Sequence, residues 1–283
     1  MDNLYTSRTP STRGRVVRFY GLTYLLSWLF WSPYYLPLGL PVSQLPYVHV
    51  LGCLGPLLAA FGLTYYEQGG AGIRHMLGRG WTRLAGTPVG WAALGLLAPV
   101  LLLAGIALGI YLSGNQSISW KEVSTSKEFS ELTPVAYILI NLLFYGFGEE
   151  IGWRGYVLPR LQTRFSALTA TLLMVPLWAI WHWPLFFNPL GNYIHMDAGG
   201  VMGWLFSLAT GSVLFTWLFN SSGGNVVACA FFHGMMDIVF MTDLNTADVS
   251  AYTGILITVI GFLVLIVYRK ESLSQGTKIT QHE

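Results

Sequence analysis

Apolar residues run through this chain in long unbroken blocks, unlike the alternation of a half-buried strand or the narrow stripe of a surface helix. Eight blocks can be drawn, at roughly 17–38, 47–66, 89–112, 134–158, 167–187, 200–220, 224–243 and 250–268. Each is close to the ~20 residues that a helix needs to cross a bilayer. Lipid offers no partner to a backbone N–H or C=O, so such blocks must satisfy themselves as helices. The predicted fold class is all-α, a polytopic membrane protein of about eight transmembrane helices. The punctuation agrees. Gly39-Leu40-Pro41 closes the first block, Gly69-Gly70-Ala71-Gly72 follows the second, and Ser221-Ser222-Gly223-Gly224 makes a tight turn between the sixth and seventh.

Composition supports the lipid setting: 53% of the 283 residues are hydrophobic and 10% are charged, against roughly 25% charged in soluble domains. Arg8, Arg13, Arg15 and Arg18 precede the first block in the manner of a signal peptide. The block is longer than a signal sequence and lacks a small-residue cleavage site, so it is expected to stay as an anchor. With the N-terminus inside and eight crossings, the inner segments hold Arg8, Arg13, Arg15, Arg18, Arg74, Arg79, Arg83, Arg160, Arg164, Arg269, Lys270 and Lys278. The outer loops hold only Lys121 and Lys127. This asymmetry predicts that both termini are cytoplasmic. The inner stretch Gly72–Arg83 mixes Ile73, Met76, Leu77 and Trp81 with three arginines, which suits either a helix lying on the headgroups or a plain basic connector. No basic block interleaved with aromatics points to nucleic acid. Cys53 and Cys229 lie inside apolar blocks, so neither a disulfide framework nor a cysteine metal site is expected.

The charges that cannot be assigned to loops or block ends are the informative ones. Glu149, Glu150 and Arg154 lie in the fourth block and Asp237 in the seventh, joined by the imidazoles of His182 in the fifth and His233 in the seventh. A charge at bilayer depth costs a few kcal/mol or more, so such groups usually face the protein interior with a partner and a function. Glu150 and Arg154 stand at i,i+4 in the favourable order for an ion pair. Glu149 is turned about 100° away from Glu150, free to face a substrate. His233 and Asp237 are again i,i+4, and Trp178 sits one turn before His182, with Pro176 loosening the helix nearby. Three acids against one arginine leave a surplus that a low dielectric does not tolerate. A carboxyl keeps its proton, a histidine is cationic, or a metal cation is bound. Each of these is a catalytic arrangement, and a glutamate with two histidines could hold zinc with a water in the open position.

These residues also form a pattern. Gly148-Glu149-Glu150-Ile151-Gly152-Trp153-Arg154-Gly155-Tyr156 resembles the EExxxR motif of the CAAX-protease and bacteriocin-processing family of intramembrane peptidases, which includes the type II CAAX prenyl endopeptidases. Leu177-Trp178-Ala179-Ile180-Trp181-His182-Trp183-Pro184 is similar to its second motif, an aromatic residue followed four positions later by His. His233-Gly234-Met235-Met236-Asp237 is similar to the third, His-x-x-x-Asn/Asp. The resemblance covers about residues 134–243, the expected peptidase core. Residues 1–133 supply N-terminal transmembrane helices and loops, and 244–283 the last transmembrane helix and a cytoplasmic tail, all within one integral membrane domain.

The resemblance implies an endopeptidase acting on a membrane-associated protein or peptide. Glu149 would activate the attacking water with help from His182, and His233 and Asp237 would stabilise the oxyanion. Glu150 and Arg154 would be the supporting pair. Glu149, His182, His233 and Asp237 are equally the residues that would ligate a divalent metal such as zinc, and the Asp at 237, where many members carry Asn, favours that alternative because an ionised carboxylate accepts but does not donate. Different readings stand beside this one: a non-proteolytic membrane partner acting in bacteriocin immunity or as a regulatory scaffold, and a proton-coupled transporter using the same acids. The latter is weakened by the absence of a visible internal repeat. His49, His75, His195 and His282 carry no expectation, and Trp178, Trp181 and Trp183 are read as packing and interfacial residues.

Overall fold

The computed structural model describes residues 11–86, 90–91, 93–100, 104, 125–243 and 247–281. Among them there are helices and turns and no strand, and the chain is an all-α integral membrane protein. The elements are α1 (Thr12–Phe30), α2 (Leu45–Cys53), α3 (Gly55–Gly86), α4 (Pro134–Gln162), α5 (Ala167–Trp181), α6 (Ala198–Ser221), α7 (Val226–Met241) and α8 (Ala247–Val267). Four helical stretches are long and apolar enough to cross a bilayer: Val42–Gly78, Pro134–Gln162, Ala167–Phe187 and Ala198–Ser221. These are the second, fourth, fifth and sixth of the expected spans. Val226–Met241 and Ala251–Val267 are apolar but shorter, and most of the third block, 89–112, lies outside the described residues.

Local chemistry explains where the elements start and stop. Ser11, Thr133, Ser166, Asp197 and Asn225 each cap a helix by accepting a backbone N–H, as at Asp197 Oδ1 from Gly200 N at 2.7 Å. The first helix stops at Phe30, short of the expected 38. Pro33 opens a 3₁₀ turn over Ser32–Tyr34, and the residue before a proline is disfavoured in the α conformation. The second expected span is broken between Cys53 and Gly55, and the helix that continues past it is bent at Gly69, whose φ of 61° lies in the left-handed region that suits glycine. Gly72–Arg83 lies in the helical stretch that follows this bend.

α4 is not a uniform α-helix. π-helical turns at Asn141–Gly146 and Trp153–Val157 flank the short α-helical stretch Phe147–Gly152, which carries the acidic pair. Such turns are inserted where packing or function re-aims side chains. Glycines set the packing around this stretch. A Cβ on Gly146 would run into the carbonyl of Ala230, and one on Gly234 would lie 2.6 Å from the carbonyl of Asn141, so α4 and α7 touch backbone to backbone. On the opposite side, a Cβ on Gly152 would lie 2.6 Å from Pro56 Cβ, and one on Gly148 would lie 3.0 Å from the Cys53 carbonyl. The motif is thereby clamped between α7 and the α2–α3 junction. Gly234→Ala should lower stability by about 1–3 kcal/mol, the usual cost of overpacking, read as a lower thermal midpoint of the purified protein.

α1 seals the bundle with aromatic rings. Phe19 stacks on Tyr156 at 5.1 Å and meets Trp153 edge-on at 5.5 Å. The Tyr156 hydroxyl in turn donates to Glu67, whose carboxylate also accepts from Arg160 Nη2, at 2.9 and 3.2 Å, joining α3 to α4. The expected tail also packs. Asn220 Nδ2 donates to the Ser272 carbonyl at 2.7 Å, Gln162 Nε2 donates to the Ile279 carbonyl at 2.8 Å, and Leu273 is fully buried.

Candidate active site

The six polar residues singled out in the sequence lie on α4, on α7 and at the C-terminal cap of α5, and five of them meet directly. Glu150 is fully buried, and its Oε1 accepts both Arg154 Nη1 and His233 Nδ1, each at 2.7 Å. A carboxylate paired with a guanidinium only accepts, so His233 carries its proton on Nδ1. The guanidinium carbon lies 4.3 Å from the ring centroid of Phe215 and 5.0 Å from that of Trp178, within cation–π range of both rings. The i,i+4 spacing thus forms the expected ion pair, with His233 as a third member that the spacing could not reveal.

Glu149 points elsewhere, as its position on the helix requires. Its Oε2 accepts two indole N–H groups, from Trp153 at 3.1 Å and Trp178 at 3.0 Å. Its Oε1 faces His233 Nε2 at 3.8 Å, and Asp237 Oδ2 stands 3.6 Å from the same nitrogen. His233 is therefore the hub: Nδ1 is fixed by Glu150, and Nε2 is presented between Glu149 and Asp237. Asp237 Oδ2 has no hydrogen-bond partner among the described residues. The site is almost sealed, with Glu149 at 3% and His233 at 7% exposure, and the Asp237 side chain at 23% is its most open edge.

His182 joins less directly. It caps α5, where the helix gives way to a 3₁₀ turn over Trp183–Phe187. Its Nδ1 lies 2.7 Å from the Trp178 carbonyl and so must donate. That leaves the lone pair on Nε2, a tautomer fixed by the backbone. The link to Glu149 runs through Trp178, whose carbonyl holds His182 and whose indole holds the carboxylate.

Trp178 and Trp153 are the functional residues that sequence reasoning missed. The sequence alone groups Trp178 with Trp181 and Trp183 as packing and interfacial residues. Trp181 is indeed fully buried and Trp183 is 60% exposed, but Trp178 is a hydrogen-bond donor to the central carboxylate. The available signal was its place one turn before His182. Among the described residues, no three His, Cys, Asp or Glu side chains are arranged to hold a metal ion. Of the four residues weighed as metal ligands, both histidines have Nδ1 engaged, by the Trp178 carbonyl and by Glu150, which leaves Nε2 of each as the nitrogen that could meet an ion or a proton.

Residues 131–239, which span α4 to α7 and all six site residues, match the family model described as type II CAAX prenyl endopeptidase Rce1-like. Over these residues the chain is similar to the CAAX protease family. It is also similar to CAAX prenyl protease 2 of Methanococcus maripaludis, with 29% identity over 175 residues, 60% of this chain. The match spans 63% of that relative's length. The EExxxR acids that carry this similarity sit on the short α-helical stretch between the two π turns of α4.

Proposed function

We propose that the chain is an intramembrane endopeptidase of CAAX type, hydrolysing a peptide bond in a membrane-associated protein or peptide, with Glu149 as the base that activates water. One observation carries this reading: Glu149 has one oxygen anchored by two indole donors and the other turned to His233 Nε2, inside a buried site built from α4, α5 and α7. A structural acid would be neutralised by its partners. Glu150 is, through Arg154 and His233, whereas Glu149 has only neutral indoles on one oxygen and an imidazole nitrogen beyond hydrogen-bond distance on the other.

The chemistry follows from these roles. A water beside Glu149 Oε1 loses a proton to the carboxylate as its oxygen bonds to the scissile carbonyl carbon. With His233 protonated on both nitrogens, two cations face the three acids of the site, and the Nε2–H can donate to the oxyanion of the tetrahedral intermediate. Asp237 holds that imidazole in place from one side and Glu150 from the other. Glu149 then returns the proton to the departing amine nitrogen as the C–N bond breaks, leaving a new carboxylate and a new amine. His182 keeps Trp178, and through it Glu149, in position. Each of these steps uses only side chains of the chain itself. The positive-inside asymmetry leads us to place both termini in the cytoplasm.

The name of the archaeal relative suggests the substrate class to try first. A peptide ending in a prenylated cysteine, two aliphatic residues and a variable residue, offered to the protein in lipid nanodiscs, should be cut after the cysteine. Cleavage should persist when EDTA is added. Failure to cut either the prenylated peptide or its unprenylated counterpart would count against the peptidase reading, and loss of cleavage restored by zinc would replace the water-activating glutamate with metal chemistry.

A further inference from the structure

Beside the site the protein buries a second acid–histidine pair that the chemistry above does not use. Glu128 lies in the segment before α4 and is 5% exposed, with His49 at 6% and Asn188 at 1%. Glu128 Oε1 accepts from His49 Nδ1 at 2.7 Å and from Asn188 Nδ2 at 2.9 Å. A carboxylate withdrawn from water is costly unless its donors are well placed, so what it joins is informative.

Each partner belongs to an element next to the site. His49 sits on α2, its ring 5.1 Å from that of Tyr145, which precedes Glu149 by four residues on α4. The His49 carbonyl accepts from Trp31 Nε1 at 3.1 Å, and Trp31 leans on Trp181 at 4.8 Å, the neighbour of His182. Asn188 closes the 3₁₀ turn that begins directly after His182, and its Oδ1 accepts from Leu190 N at 3.1 Å, so its side chain is tied at both ends. The same segment also grips the end of α7. Lys127 N donates to Asp243 Oδ1 and Asp243 N donates to the Thr125 carbonyl, both at 2.8 Å. One short stretch of chain therefore fastens the ends of the elements that carry His182, His233 and Asp237.

We infer that Glu128 is a positioning residue for the reaction, acting with His49 and Asn188 to hold the His182 turn in register with Glu149 and His233. The inference rests on the peptidase reading. Misplacement of a catalytic constellation by about 1 Å can cost on the order of 100-fold in rate, without loss of the binding surface.

The test uses the prenylated peptide in nanodiscs. Glu128→Ala should lower kcat by roughly 10- to 100-fold and leave KM within about threefold. Glu128→Gln, whose carbonyl oxygen can still accept from both His49 and Asn188, should recover most of that loss. Asn188→Leu cuts the tie to the His182 turn while leaving the Glu128–His49 pair, and should reproduce the kcat loss even if Glu128→Ala does not fold. Wild-type kcat in Asn188→Leu, or a loss carried by KM in either variant, overturns the inference while leaving the peptidase reading intact. A wild-type protein that cuts neither peptide overturns both.

Discussion

Glu149→Gln should reduce the rate of peptide cleavage by about 1,000-fold, within the 10²–10⁴ range that a general base contributes, while the protein inserts and purifies as the wild type does. Glutamine keeps the length and planarity of the side chain. Its carbonyl oxygen can take over the two indole hydrogen bonds from Trp153 and Trp178, so the geometry of the site has no reason to collapse. What it loses is the ability to accept a proton from water. Stability should be unchanged or raised, because three carboxylates share this buried site with a single guanidinium and removing one of them relieves repulsion. Loss of activity without loss of stability is the signature of a group kept for chemistry. Single-turnover cleavage, with the thermal midpoint measured on the same preparation, reads both halves. An equal fall in activity and stability would make Glu149 a structural acid.

Arg154→Met should have the opposite profile. Methionine fills similar space between Phe215 and Trp178 but leaves Glu150, fully buried, without its cation. Breaking a buried pair from one side costs about 3–5 kcal/mol, because the remaining charge stays uncompensated. The expected result is a large drop in thermal midpoint and in the yield of monodisperse protein, with activity lost as a consequence. Arg154→Lys should restore little. An ammonium is a compact, strongly hydrated point charge that does not match the guanidinium's contacts with two rings and Glu150 Oε1 together. A variant with methionine at 154 that is as stable as the wild type would show that Glu150 is neutralised by His233 alone.

The residues differ in how far the sequence could disclose them. Helical spacing alone predicts the Glu150–Arg154 pair, since both partners sit on one helix one turn apart. The energetic cost of charge in lipid picks out Glu149, His182, His233 and Asp237, and the order of the three motifs groups them. Their relative placement depends on tertiary packing. Nothing in the spacing says that His233 would bind Glu150 through one nitrogen and face Glu149 and Asp237 through the other. The π turns of α4 arise from its contacts with α7 and with the α2–α3 junction, so no local propensity announces them. Indole donors escape a sequence reading for a different reason: Trp178 is apolar by composition, and its single N–H matters only once a carboxylate lies 3.0 Å away. Glu128 and His49 lie 79 positions apart, too far for any periodicity to link them. Among the described residues the fourth, fifth and sixth apolar blocks return as helices long enough to span, whereas the first is stopped at Pro33 and the second is broken between Cys53 and Gly55.

The central claim is that Glu149 directs a water molecule onto a peptide bond. It is tested most directly by mass spectrometry of the products formed from the prenylated peptide in ¹⁸O-enriched water. Wild-type protein should release two fragments with the label in the newly formed carboxyl group, and Glu149→Gln should return the peptide intact. Labelled fragments appearing equally fast with both proteins would contradict the account.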